Sequence, residues 1–183
     1  VEHAFWAVNR ADRVKVVASA IREHGRTIVF CRTRHGADRI AHQLGAQGID
    51  AVAIHGSRSQ GQRDRAIAAF SAGKAQALVA TDVAARGIDV ADVARVVNYD
   101  APEDREAYVH RVGRTGRAGR SGLGISFVLA DQAEEMRAIA SGLGLEGFEP
   151  PRKRVAAADP PRTGSARGRR SRNRRRRRAK VAA

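Results

Sequence analysis

The stretch "HRVGRTGRAGR" at residues 110–120 leads, after Ser121, into "GLGISFVLA" at 122–130. Arginine stands at 111, 114, 117 and 120, and glycine at 113, 116 and 119. A helix is a poor host for this pattern, because each interior glycine costs roughly 1 kcal/mol relative to alanine. A flexible Arg- and Gly-rich tail is a second option. The apolar run that follows has the length and composition of a buried strand, which a tail would not feed. The arginines therefore sit on a folded loop at a strand's entrance and are aimed at something anionic.

Outward from that loop, two periodicities alternate. "TIVFCR" (27–32), "AVAIHG" (51–56), "QALVATD" (76–82) and "ARVVNYD" (94–100) are short and rich in Val, Ile and Ala. Most are apolar on both faces, as expected of parallel strands covered by helices. "VEHAFWAVN" (1–9) reads as a leading strand. Between the strands lie helical stretches. "RADRVKVVASAIREHG" puts Val14, Val17, Ala18 and Ile21 on one face, and Gly25 suits its C-terminal stop. "HGADRIAHQLGAQG" and "SQGQRDRAIAAFSAG" repeat the plan, with Ser59 as a cap and Gly73 as an end for the latter. "PEDREAYVHRV" is expected to start with Pro102 and acidic residues in its first turn. "DQAEEMRAIASGLG" is the last helix. Alternation with short connections implies an α/β fold with a doubly wound parallel sheet.

The net charge of +15 is unevenly spread. Residues 150–183 hold 14 of the 34 Lys and Arg but one of the 19 Asp and Glu, so residues 1–149 are nearly balanced. The segment 150–183 has two Pro-Pro pairs, no aromatic residue and almost no large aliphatics. It cannot bury enough apolar surface to offset its ordering entropy, so the expected organisation is one domain over 1–149 and a disordered Arg-rich tail over 150–183. A single cysteine excludes an internal disulfide framework and a cysteine-based zinc site, and fits a reducing compartment. Cys31, Phe5, Trp6 and Phe30 read as core. The six histidines lack ligand spacing, and no metal site is expected. No apolar run approaches the ~18 residues of a membrane span. The chain begins with Val and reads as a fragment or a processed chain.

In open parallel sheets, ligands gather beyond the carboxyl ends of the strands. Thr33 and Arg34 follow the first of the Val- and Ile-rich runs. His55, Gly56, Gln60 and Arg63 follow the next, and Thr81, Asp82, Arg86, Gly87 and Asp89 the one after. Glycine amides and guanidiniums suit phosphates, and a lone carboxylate among them suits a ribose hydroxyl.

These residues resemble the second RecA-like domain of DEAD-box RNA helicases, over about residues 1–145 and in the family's order and spacing. "IVFCRTR" resembles motif IV, "HGSRSQGQR" the Gln-x-x-Arg element, "TDVAARGID" motif V and "HRVGRTGR" motif VI. The resemblance implies a RecA-like sheet flanked by helices, closing over ATP with its Mg2+ held by a first RecA-like domain. It implies that Asp89, with Gly87, contacts the ribose. By the same resemblance, Arg114 and Arg117 would reach the γ-phosphate as arginine fingers, Thr33, Arg34, Gly56, Arg63 and Thr81 would line the RNA backbone, and Gln60, Asp82, Arg86, His110 and Arg111 would couple the ATP cleft to RNA between domains. Asp82 has a structural alternative, pairing with a motif arginine, and Arg86 has one too. Arg120 reads as a rim charge.

The sequence holds no Gly-x-x-x-x-Gly-Lys-Ser/Thr loop, Asp-Glu-Ala-Asp box or Ser-Ala-Thr, so the chain alone is expected to be inactive. RNA and a first RecA-like domain are the expected partners, with the tail reaching RNA, in a cytoplasmic monomer away from membranes. Abundant Ala, Arg and Gly point to a bacterium. The alternative is a non-catalytic RNA-binding adaptor that reuses the fold.

Overall fold

The computed structural model describes residues 1–86, 90, 93–116 and 121–145. Six strands form one sheet: β1 (Glu2–Ala7), β2 (Thr27–Phe30), β3 (Ala51–Ile54), β4 (Ala77–Ala80), β5 (Arg95–Asn98) and β6 (Leu123–Val128). Their order is β1-β6-β5-β2-β4-β3, and all pairings are parallel. β4 and β5 both flank β2, so the chain crosses from one side of β2 to the other between them. Open α/β sheets gather ligands at such a crossing.

The helices are α1 (Arg13–His24), α2 (Arg34–Ala46), α3 (Gln60–Ser71), the single turn α4 (Asp82–Ala85), α5 (Arg105–Val112) and α6 (Ala133–Gly142), the last preceded by a 3-10 turn. Strand alternation divides the core into two layers. Val29, Cys31, Val79, Val97, Ile125 and Phe127 pack on α1 and α2. Ile28, Phe30, Leu78, Ala80 and Val96 face the other way, onto α3 and α4. On that second face, Val128 and Phe5 pack with Tyr108 and Val112 of α5 and Met136 and Ile139 of α6. The central strands are apolar on both faces because both faces are covered.

The expected ends mostly hold. Gly25 follows α1 at φ 85°, and its N–H donates to the Ile21 carbonyl. Ser59 caps α3 in a reciprocal capping box with Gln62, and Gly73 follows that helix at φ 73°. α5 differs from expectation. It starts at Arg105, not at Pro102, because the Asp104 carboxylate caps it by accepting from the Ala107 N–H at 2.7 Å. That cap satisfies an otherwise orphaned donor, which a start at Pro102 would leave to water. Phe30 is buried, whereas Phe5 and Trp6 are partly buried on the edge strand β1. Among the described residues, no helix is long and apolar enough to cross a membrane.

Candidate functional site

The carboxyl edge of the sheet carries a small cleft of about 40 Å³, lined by Phe30, Asp82, Arg86, His110, Arg111 and Arg114, with Ala85 and Ala107. Two elements build it. α4 begins directly after β4 and presents Asp82. α5 lies against β5 and α6 and presents His110 and Arg111 from its last turn. Arg111 is 2% exposed and is gripped on all sides. Its Nε and Nη2 donate to the two Asp82 oxygens at 2.6 and 2.7 Å. Its Nη1 donates to the Asp100 carbonyl at 2.7 Å and to Asn98 Oδ1 at 3.4 Å. The guanidinium carbon lies 5.4 Å from the Phe30 ring centroid. So Asp82 pairs with a motif arginine, as its structural alternative supposed. Arg114 stands half-buried at the mouth, its Nε donating to the His110 carbonyl at 3.3 Å. His110 and Arg86 are exposed there.

The loop after α5 is set by close packing. Gly116 has φ 67°, a conformation that side chains rarely adopt. A Cβ on Gly122 would lie 2.4 Å from the Gly116 nitrogen and 2.5 Å from Thr115 Oγ1. Thr115 Oγ1 donates to the Val93 carbonyl at 2.5 Å, fastening the loop's base beside β5. Gly87, Asp89, Arg117 and Arg120 lie outside the described residues.

A second row of residues follows β2, β3 and β4 along the same edge. Thr33 caps α2, accepting from the Gly36 N–H at 3.0 Å. Arg34 Nη1 donates to Ser57 Oγ at 2.8 Å, linking the ends of β2 and β3. Gly56 is exposed, with open space where a Cβ would point. Thr81 is 7% exposed, so little of it reaches the surface. Arg63 is half-buried and donates to the Ala84 carbonyl at 3.0 Å and to Gln60 Oε1 at 3.4 Å. Part of its donor set therefore braces α3 against α4.

Residues 11–119 match the family described as the helicase conserved C-terminal domain. The chain belongs to that family. This helicase C-terminal domain is 38% identical over 126 residues to DEAD-box ATP-dependent RNA helicase 30 of Arabidopsis thaliana, covering 69% of this chain and 21% of that protein. Its fold is similar to a DEAD box protein from the hyperthermophile Methanococcus jannaschii, with TM-score 0.73 and 37% identity, covering 79% of this chain and 40% of the other. It is also similar to S. cerevisiae Dbp5 bound to RNA and ADP BeF3, with TM-score 0.70 and 35% identity over 78% of this chain and 39% of that one. The chain thus spans between a fifth and two-fifths of the length of these relatives. It corresponds to the second, C-terminal lobe of DEAD-box RNA helicases.

The sequence of this helicase domain did not flag three residues that hold the site: Asp100, Asn98 and Asp38. Asp100 accepts from Arg13 Nη1 at 2.7 Å and from the Arg32 N–H at 3.0 Å, fixing the β2 and β5 ends together. Asn98 donates to Ser126 Oγ at 2.9 Å beneath Arg111. Asp38 on α2 accepts from His55 Nε2 at 3.0 Å and from Arg58 Nη2 at 2.7 Å. His55 is 4% exposed, and its Nδ1 accepts from the Ser57 N–H at 3.3 Å, so the neutral ring carries its proton on Nε2. Burial acts to raise the Asp38 pKa, but hydrogen bonds from His55 and Arg58 outweigh it and hold the carboxyl below its usual range. The signal available for Asp100 was its place just past a buried strand; Asp38 gave none, because its partners are 17 and 20 residues away. Cys31 is fully buried, and burial with the nearby Asp100 charge pushes its thiol up to about 12, so it remains an inert core residue.

Proposed function

We propose that this domain is the ATP-sensing, RNA-binding lobe of an ATP-dependent RNA helicase, working as a monomer in the cytoplasm of a bacterium. The observation that carries the proposal is the single cleft on which Asp82, Arg86, His110, Arg111 and Arg114 converge. Arg114 would face the outer end of a phosphate chain supplied by a first RecA-like lobe, which would also hold the Mg2+, while Arg86 would help couple the cleft to RNA. The side chains fit that end only, since no P-loop lysine or Asp-Glu-Ala-Asp carboxylates exist in the sequence. Arg114 and Arg117 would stabilise charge on a transferring phosphoryl group, a contribution of about 10³–10⁵ in rate where such arginines act. Asp89 would hold the ribose. Arg111, clamped by Asp82, holds α4 and α5 in one geometry, so a change at the cleft is transmitted to Thr81 and the RNA-facing row.

Thr33, Arg34, Gly56 and Thr81 would meet RNA phosphates and riboses, which gives sequence-independent binding. Exposed apolar surface supports a covering lobe: Val83 and Val109, neighbours of Asp82 and His110, are 72% and 50% exposed. Residues 150–183 would act as a cationic tether for RNA. The deciding experiment joins this chain to the first lobe of a DEAD-box helicase and measures RNA-stimulated ATPase activity. The fusion is expected to turn over, Arg114→Ala and Arg117→Ala to lose about 10³-fold, and the isolated chain to be inactive. Turnover by the isolated chain, or a fusion indifferent to both substitutions, would overturn the proposal.

A further inference from the structure

A larger concavity of about 530 Å³ lies on the opposite face of the sheet, between α1 and α2. Arg10, Arg13, Lys15 and Arg39 line it, and no Asp or Glu does. Residues 1–149 are close to charge balance, so four cations around one groove are a local concentration. Arg13 is its fixed member. It is 8% exposed, donates to the Tyr99 carbonyl at 3.0 Å and to Asp100 at 2.7 Å, and lies 4.1 Å above the Tyr99 ring. Its buried Nε finds no acceptor among the described residues, so the site has donor capacity to spare. Lys15 and Arg39 are exposed on the facing turns of α1 and α2. Arg10 pairs with Asp131, but both side chains are about two-thirds exposed, at 65% and 63%, and so solvated a pair is easily exchanged.

We propose that the α1–α2 groove docks an extended acidic segment of a partner protein. Charge excludes the chain's own tail, which is itself strongly basic. A polypeptide fits better than RNA for two reasons. Gln43 and Gln47 line the groove with amides that can both donate to and accept from a main chain, and Ala11, Val14 and Ala46 offer apolar contact between the charges. The groove also lacks a stacking platform, because Tyr99 is 4% exposed and covered by Arg13. Carboxylates along the segment would pair with Arg10, Lys15 and Arg39, while Arg13 sets the field at the floor.

The test uses the full chain and a fluorescein-labelled peptide alternating Glu with Ala and Leu, at physiological salt. Anisotropy gives affinity, and hydrogen exchange gives location, which separates the groove from the tail. The peptide is expected to protect amides in residues 10–17 and 39–47. The double substitution Lys15→Glu, Arg39→Glu should remove that protection and weaken the groove-bound component about tenfold or more. Arg65→Glu, exposed on α3 across the sheet, should change neither. Equal protection in parent and double variant, or none in either, overturns the proposal. So does protection of the groove by single-stranded RNA in place of the peptide. No nucleotide enters the assay, so its outcome stands apart from that of the ATPase fusion.

Discussion

Arg111 and Asp82 meet in a two-pronged ion pair, 2.6 and 2.7 Å long, whose cationic half is almost wholly buried. The pair joins the last turn of α5 to α4, two elements 29 residues apart in the chain. Removing one partner of such a pair leaves the other charge desolvated, which costs more than the intact pair contributes. Asp82→Ala is expected to destabilise the fold by roughly 3 kcal/mol, and Arg111→Lys should fail to restore it, since an ammonium cannot reproduce the fork. Urea unfolding of both variants checks this; a change in stability within error of zero would show the pair to be dispensable.

The Asp38 carboxyl supplies a pH dependence with a definite sign. Its folded pKa is depressed by His55 and Arg58, against the opposing effect of burial. Its contribution is therefore fully present above the ordinary carboxylate pKa of about 4 and is lost as pH falls through the lower folded value. Because the side chain is 44% exposed, solvent limits the size of the effect. Asp38→Asn should be less stable than the parent at neutral pH, with the two unfolding midpoints converging in acid. Midpoints that stay equally far apart at every pH would contradict this account.

Two glycines should respond in opposite directions. Gly122→Ala drives a methyl into the Gly116 backbone at 2.4 Å, so the arginine-bearing loop must shift, at a cost of about 1–3 kcal/mol. Gly45 sits in α2, and a methyl added there would meet nothing within 4 Å, so Gly45→Ala should stabilise by up to about 1 kcal/mol. Thermal unfolding of the two variants reads both signs in one experiment.

The basic segment should be visible in salt dependence. Deleting residues 151–183 is expected to weaken RNA binding and flatten the plot of log K against log salt, by about 0.7 for each single-strand phosphate that the tail no longer neutralises. A slope unchanged by the deletion would rule out the tether.

The fold was legible in the sequence because every central strand is covered on both faces. Runs such as "TIVF" and "ALVA" had to be apolar throughout, and the intervening helices had to carry one apolar stripe each. The loop at 110–120 was legible because glycine spacing forbids a helix and a strand follows. Its meaning came from motif order, which placed Asp82, His110, Arg111 and Arg114 at one edge ahead of the structure. The start of α5 was misplaced by three residues, since Pro102 and Asp104 both offer start signals and only the formed cap at Asp104 selects between them.

The sequence alone determined which residue types gather at the strand ends, since glycine, arginine and hydroxyl chemistry is written in single residues. Tertiary structure alone decided which of them are bound to each other. Arg111 is consumed by Asp82 and the Asp100 carbonyl, Arg63 leans on Ala84, and Arg13 collects with Lys15 and Arg39 into a groove that no local pattern announces. The reason is distance along the chain. A hydrogen bond between residues 29 or 87 positions apart depends on how helices cross the sheet, and that crossing is fixed by the packing of both faces together.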